Sequence, residues 1–357
     1  MSMSAPPAFP EYFRDEEELD ELMTRPQQIL IEELATLDDG IIVLGASGKI
    51  GPTLARLAKR AAPAKRVIAV ARFQDEKNPQ RRYLESHGVE TLACDFLDGD
   101  AVTRLPEVKN VIYMAGLSSR KFGPAGVDPM VWAMNVHVPA LISRRFAGSR
   151  IVCFSTGCVY PFVPVIGGGA VERTYLAPPP SEYANSCIGR ERIFEFYSNE
   201  LKTECCIFRL NYAIDMRYGI LHDLATKIMA GASIDVTTGN VNVIWQGDAA
   251  SMALRSLRHC SSPASVFNVS GPETVSIRYV AEQLAARLGK IARLEGREAA
   301  ECWLVNSALA MKTFGYPSTP LLTLVDWTAN WVMREMPSLS KATYYDLRPR
   351  AQAAEFT

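Results

Sequence analysis

Three glycines spaced Gly45-Ala-Ser-Gly48-Lys-Ile-Gly51 follow directly on the apolar run Ile41–Leu44 and open a stretch with helical character. Glycines at that spacing allow a tight turn and a close backbone approach to a phosphate group. The helix behind them adds free N–H groups and the positive end of its dipole. The strand-to-helix setting makes this loop, with Ser47, Lys49 and Ile50 between its glycines, a pyrophosphate cradle for a dinucleotide. A second apolar run ends at Arg72. An acid there would take the adenosine ribose hydroxyls of NAD. A guanidinium instead suits the 2′-phosphate of NADP, so the expected cofactor is NADP, or else NAD. Asp95, after the third run, is placed to accept from the adenine amino group. The Ser118-Ser-Arg120-Lys121 loop suits a carboxylate or phosphate on a substrate.

These residues need a scaffold, and the hydrophobic pattern supplies one. Strands are predicted at Ile41–Leu44, Arg66–Ala71, Val89–Ala93, Asn110–Met114, Arg150–Phe154 and Cys205–Leu210, with helices at Lys49–Ala62 and Tyr183–Glu200. Short runs that are apolar on both faces and alternate with helices predict an α/β fold, a doubly wound parallel sheet covered on both sides. After residue 211 the spacing changes. Helices are expected at Leu221–Ala230, Gly247–Arg258, Ile277–Leu288 and Leu324–Met333, with strands at Asn242–Trp245 and Val266–Val269. The reading is a dinucleotide-binding domain over 41–212, a smaller interleaved substrate lobe over 213–340 and a tail over 341–357. Residues 1–40 form an extension whose acidic, leucine-bearing part, interrupted at Pro26, is expected to be helical and to pack on the main body.

Composition excludes several classes. The 357 residues carry 38 Lys+Arg against 39 Asp+Glu, a net charge of −1, which disfavours a nucleic-acid partner. No run approaches the ~18 apolar residues of a membrane span. The first 21 residues hold seven acids and one arginine, so no signal peptide is expected there. Eight scattered cysteines and four histidines give no metal-ligand spacing, and a reducing cytoplasm fits them.

Beyond the loop, the chain shows Met114-Ala115-Gly116, Asn135 in Asn-Val-His, Ser155-Thr156-Gly-Cys-Val-Tyr160, and Tyr183 twenty-seven residues past Thr156. Gln246-Gly-Asp248-Ala and Phe267-Asn-Val-Ser-Gly-Pro-Glu273 follow. From about residue 41 to 333 this ordered set resembles the extended short-chain dehydrogenase/reductase family, in its branch of NAD(P)-dependent sugar epimerases, dehydratases and reductases. The resemblance implies that Thr156 hydrogen-bonds the reacting oxygen of a small-molecule substrate. It implies that Tyr183 gives or takes that oxygen's proton while hydride moves to or from the nicotinamide. It also implies that Ala115, Gly116 and Asn135 lie along the cofactor, and that the chain forms a homodimer. Asn211 and Tyr212, with Ser118 and Arg120, are the candidates for the substrate pocket.

Two departures from the family pattern bear on chemistry. The family's Tyr-x-x-x-Lys reads Tyr183-Ala-Asn-Ser-Cys187 here. Positions i and i+4 share a helix face, so a cation that lowers the phenol pKa is missing, and an unassisted tyrosine is only about a thousandth ionised at pH 7. Three readings follow: another cation (Arg190, Arg120 or Lys121) replaces the lysine, Tyr183 works mainly as a proton donor, or the protein binds cofactor without redox turnover. Second, Gly157-Cys158 stands where the family's dehydratases carry an Asp-Glu pair, which argues against a nucleotide-sugar 4,6-dehydratase. Val241 occupies the position of the epimerases' pyrophosphate-clamping arginine, leaving Arg217 or Arg297 to reach in. The function read from sequence is thus an NAD(P)-dependent oxidoreductase or epimerase on a sugar, sugar acid or similar hydroxyl/carbonyl substrate. The alternative is a binding protein of the same fold that has lost catalysis.

Overall fold

The computed structural model describes residues 9–73, 77–118, 128–341, 343, 345 and 346. Its centre is a sheet of seven parallel strands, numbered here in chain order: β1 Ile41–Leu44, β2 Val67–Ala71, β3 Glu90–Ala93, β4 Asn110–Tyr113, β5 Arg150–Thr156, β6 Glu204–Leu210 and β7 Ser265–Val269. Their spatial order is β7-β6-β5-β4-β1-β2-β3. The chain builds outward from β1 to β3, then returns to lay β4 on the other side of β1. That reversal leaves a crevice at the carboxyl ends of β1 and β4, where doubly wound sheets hold their ligands. Alternation along β1 feeds both faces of the sheet core: Ile41 and Val43 pack on one side, Ile42 and Leu44 on the other, all wholly buried.

A second apolar core gathers the helices Ile220–Met229, Ile277–Leu288 and Leu321–Met333. Trp245, Trp327 and Trp331 fill it, and the indole N–H groups of Trp327 and Trp331 donate to Pro10 O (2.8 Å) and Pro337 O (2.9 Å). They are packing residues. The expected strand Asn242–Trp245 is instead split. Asn240–Val241 pairs antiparallel with Val275–Ser276, and Ile244–Trp245 pairs parallel with Ala213–Ile214. Asn242 causes the break: its buried amide donates to Glu273 O (3.1 Å) and accepts from Val305 N (2.8 Å), holding the chain between two partners.

Ahead of β1, α1 (Glu16–Met23) and α2 (Gln28–Ala35) are separated around Pro26. They strap the two cores together. Phe13, Leu19 and Met23 enter the second core, Leu30 and Leu34 the sheet core. Glu33 receives both ends of the Arg255 guanidinium (3.0 and 2.9 Å), and Asp20 receives Arg217 at 2.8 Å. Burying five large apolar side chains stabilises by roughly 1.5–3 kcal/mol each, comparable to the whole stability of a typical domain. A chain starting at Asp38 is therefore expected to show no cooperative melting transition by circular dichroism, whereas wild-type-like melting would show the strap to be dispensable.

Candidate active site

A cavity of about 460 Å³ opens over the carboxyl ends of the sheet. The glycine loop forms one wall. Gly45 sits at φ +94°, and a Cβ on it would stand 2.5 Å from Ala115 N; a Cβ on Gly51 would stand 2.3 Å from Ala46 O. Both positions demand glycine, and Ala115 is the buried backbone neighbour that Gly45 packs against. Helix α3 (Gly51–Ala61) then begins with no side-chain cap at Ile50, so its first N–H groups keep no side-chain acceptor. Turn, close approach and uncapped helix start together fit a dinucleotide pyrophosphate. Gly45, Gly48, Lys49 and Ile50 line the cavity; Ser47 points to solvent.

The opposite wall comes from β5 and the helix Glu182–Leu201. Ser181 starts that helix by accepting from Ala184 N (3.3 Å), just after the three prolines 178–180. Tyr183 therefore lies in its first turn, at the cavity wall with Thr156. Thr156 Oγ1 accepts from Cys158 N (3.2 Å), and its own O–H is a donor at the cavity wall. Parallel pairing sets Thr156 beside Leu210, and the next-but-one residue, Tyr212, reaches the same cavity with a left-handed φ of +39°. The Cys187 sulfur beside it, and then burial, hold the Tyr183 phenol well above its ordinary pKa, while Arg190 pulls the other way. Burial likewise raises the Cys187 thiol. Both groups are protonated at neutral pH.

Arg190 is buried and touches this cavity. Its Nη1 donates to Phe154 O (3.0 Å) and its Nη2 to Asn135 Oδ1 (2.6 Å), while Nε is buried with no acceptor among the described residues. Behind the wall, Glu191 takes two bonds from Arg209 (2.9 and 2.7 Å) and one from Ser155 Oγ. Arg209 also donates to Tyr160 Oη (2.6 Å), which donates in turn to Asn268 (2.8 Å). This buried network ties β5, β6, β7 and the tyrosine helix into one unit.

Several expected site residues stand elsewhere. Asn135 does not line the cavity: wholly buried in a π-turn, it accepts from Leu117 N and Arg190 and donates to Leu117 O and Ser186 Oγ, which uses up its amide. It braces the wall. Gly116 leaves room for Arg190, since a Cβ there would stand 2.2 Å from Nη2. Asn211 is buried beside Gly157, off the cavity, while Ser118 lines it. Arg72 is exposed at the end of β2, and exposed Asp95 accepts from Leu97 N (3.0 Å). Arg120 and Lys121 lie outside the described residues. Arg217 cannot serve as a clamp, because Asp215 and Asp20 hold its guanidinium (2.8 Å each); Arg297 is exposed and off the cavity.

Sequence reasoning missed Tyr218 and Thr343 on the cavity wall, and offered Trp303 only as one of four tryptophans with a ring that could stack on a sugar. Trp303 is delivered by an antiparallel pairing of Glu301–Cys302 with Val163–Pro164, a contact no local pattern announces. Tyr218 donates to Gln246 and lies under the Lys49 ammonium, 4.5 Å from its ring centre. Among the described residues, Lys49 and Arg190 are the cations on the wall, no carboxylate lines it, and no cluster is placed to hold a metal. No described helix is long and apolar enough to cross a membrane.

Sheet order and glycine turn define a doubly wound dinucleotide-binding fold, and the comparisons make the class specific. The profile of the NAD dependent epimerase/dehydratase family matches residues 41–270, and the chain belongs to that family. Solved structures share the fold at low identity. A UDP-glucuronic acid 4-epimerase from Bacillus cereus, in complex with UDP-glucuronic acid and NAD, superposes with a TM-score of 0.69 at 17% identity over 83% of this chain and 99% of its own. A UDP-glucose 4-epimerase from Thermus thermophilus, in complex with NAD, gives 0.66 at 18% over 82% and 98%. A comparison with curated proteins by sequence gives no match.

Proposed function

We propose that the chain is an NAD(P)-dependent oxidoreductase or epimerase that moves hydride at a hydroxyl or carbonyl carbon of a sugar-like substrate. Tyr183 exchanges the proton of the reacting oxygen and Thr156 holds that oxygen. The observation that carries this reading is that the Thr156 hydroxyl and the Tyr183 phenol share one cavity with the glycine loop. The nicotinamide, when bound, supplies the hydride chemistry; the loop residues Gly45, Gly48 and Lys49 would hold its pyrophosphate. Two cations and no carboxylate among the described residues of the wall favour an anionic group in the site. The missing clamp at buried Val241 favours a substrate smaller than a nucleotide sugar, though the neighbours' UDP-sugars belong in the first screen. Ser118 and Tyr212 are placed to contact it.

Arg72, with no acid at the end of β2, favours NADPH; the NAD in the solved neighbours favours the other cofactor. Calorimetric titration with both dinucleotides decides. Tighter NADPH binding supports Arg72 as the reader of the 2′-phosphate, the reverse order removes it from that role, and binding of neither ends the enzymatic reading. Sedimentation equilibrium tests the homodimer.

The raised phenol pKa gives a signed pH dependence. Tyr183 stays protonated through the neutral range, so carbonyl reduction, which needs the proton donor, should be flat between about pH 6 and 9. Alcohol oxidation needs the phenolate, whose fraction rises about tenfold per pH unit below the pKa, so its rate should climb throughout. Equal, flat profiles in both directions would take the proton transfer away from Tyr183. A cofactor-binding protein without turnover is the second reading, favoured by Cys187, which opposes phenol ionisation. It predicts dinucleotide binding with no hydride transfer to any sugar screened.

A further inference from the structure

Arg190 is a buried cation with no ion-pair partner among the described residues. It is 6% exposed, and its hydrogen bonds go to two neutral oxygens, Phe154 O and Asn135 Oδ1. Its Nε–H has no acceptor among the described residues. The adjacent carboxylate, Glu191, is committed to Arg209 and Ser155. A charge held this way is costly unless an electron-rich or developing negative group sits beside it. The groups that feel its field are Cys187, Tyr113, Cys153 and Tyr183, and of these Tyr183 stands on the cavity wall.

The residues around it leave it room. Residues 183, 187 and 190 fall on one helix face, and side chains on a helix lean towards its N-terminus, so a long side chain at 190 reaches back towards 187 and 183. Cys187 is small and wholly buried at the position where the usual motif carries a lysine. Gly116 is bare where a methyl group would stand 2.2 Å from Arg190 Nη2 and 2.8 Å from Asn135 Oδ1. Asn135, locked to Leu117 and Ser186, fixes the guanidinium from the far side.

We infer that Arg190 is a positioning residue that delivers, from one turn further along the helix, the fixed positive charge that Tyr183 and the bound dinucleotide receive from position 187 in the usual motif. Cys187 and Gly116 are the small residues that admit it. This rests on the reading of Tyr183 as the proton-exchanging group.

The test needs no substrate. NADPH and NADH are each titrated into wild type, C187K, R190M and C187K/R190M. Each single variant is expected to bind at least tenfold more weakly, C187K because two cations then crowd one site. The double variant is expected to return to within about threefold of wild type, because a lysine at 187 restores the charge without its rival. Additive losses, leaving the double variant about a hundredfold weaker, would overturn the inference. A guanidinium needed only to hold Phe154 O and Asn135 could not be replaced from position 187. If R190M does not fold, the double variant decides alone: a folded, dinucleotide-binding chain supports the inference and an unfolded one overturns it. The charge-specific readout is the Tyr183 phenol in cofactor-free protein, isolated by subtracting the Y183F absorbance titration after a rapid alkaline jump. It should ionise at lower pH in wild type and in the double variant than in R190M. No difference between wild type and R190M would refute the role, while failure of wild type to bind either dinucleotide would instead sink the enzymatic reading itself.

Discussion

Tyr183→Phe is expected to lower turnover by about 10²–10⁴-fold, the usual worth of a positioned proton donor, while dinucleotide affinity stays within about threefold of wild type. The phenyl ring keeps the packing of Tyr183 against the Val159, Tyr160 and Cys187 cluster, so the fold should not move. What is lost is the Tyr183 phenol oxygen, which shares the cavity wall with Thr156. Single-turnover hydride transfer, followed by nicotinamide absorbance, is the measurement. A variant that keeps more than about a tenth of the wild-type rate would assign the proton to solvent or to another wall residue.

Arg209→Met is expected to cost about 3–5 kcal/mol of stability, because it strands Glu191 as a wholly buried carboxylate. That is a large part of a typical domain's 5–15 kcal/mol. The damage should reach the site, since Ser155 next to Thr156 hangs on the same Glu191, and Tyr160 loses a donor. Equilibrium urea unfolding measures the effect. The double variant Glu191→Gln with Arg209→Met should be less destabilised than Arg209→Met alone, because no unpaired charge is then buried. A double variant that falls below the single one would mean that the pair's net attraction, not the stranded charge, dominates.

What was legible in the sequence is what local physics decides. The strands of the parallel sheet announce themselves because they are apolar on both faces, as Ile41–Leu44 and Ile207–Phe208 are, and the long helix after Pro178–Pro180 has a clear start. The glycine loop was readable because Gly45 and Gly51 obey a steric rule that any chain must obey at that turn. The split at Asn242 was not readable: whether a polar residue in a short apolar run extends a strand or breaks it depends on which backbone groups surround it.

The site divides along the same line. Sequence by itself determined the fold, the glycine turn and the absence of a lysine at 187, since each is a matter of residue type at fixed spacing along one chain; the pairing of Thr156 with Tyr183 was an expectation from the family resemblance. Only the tertiary structure decided what surrounds them. It turned Asn135 inward as a brace, took Arg217 out of reach in a cluster with Asp215 and Asp20, and brought Trp303 and Tyr218 to the wall. Above all it placed the Arg190 guanidinium where Gly116 leaves room for it. Such outcomes hang on contacts between residues tens to hundreds of positions apart, and on which acceptors are already taken, information that a spacing pattern does not contain.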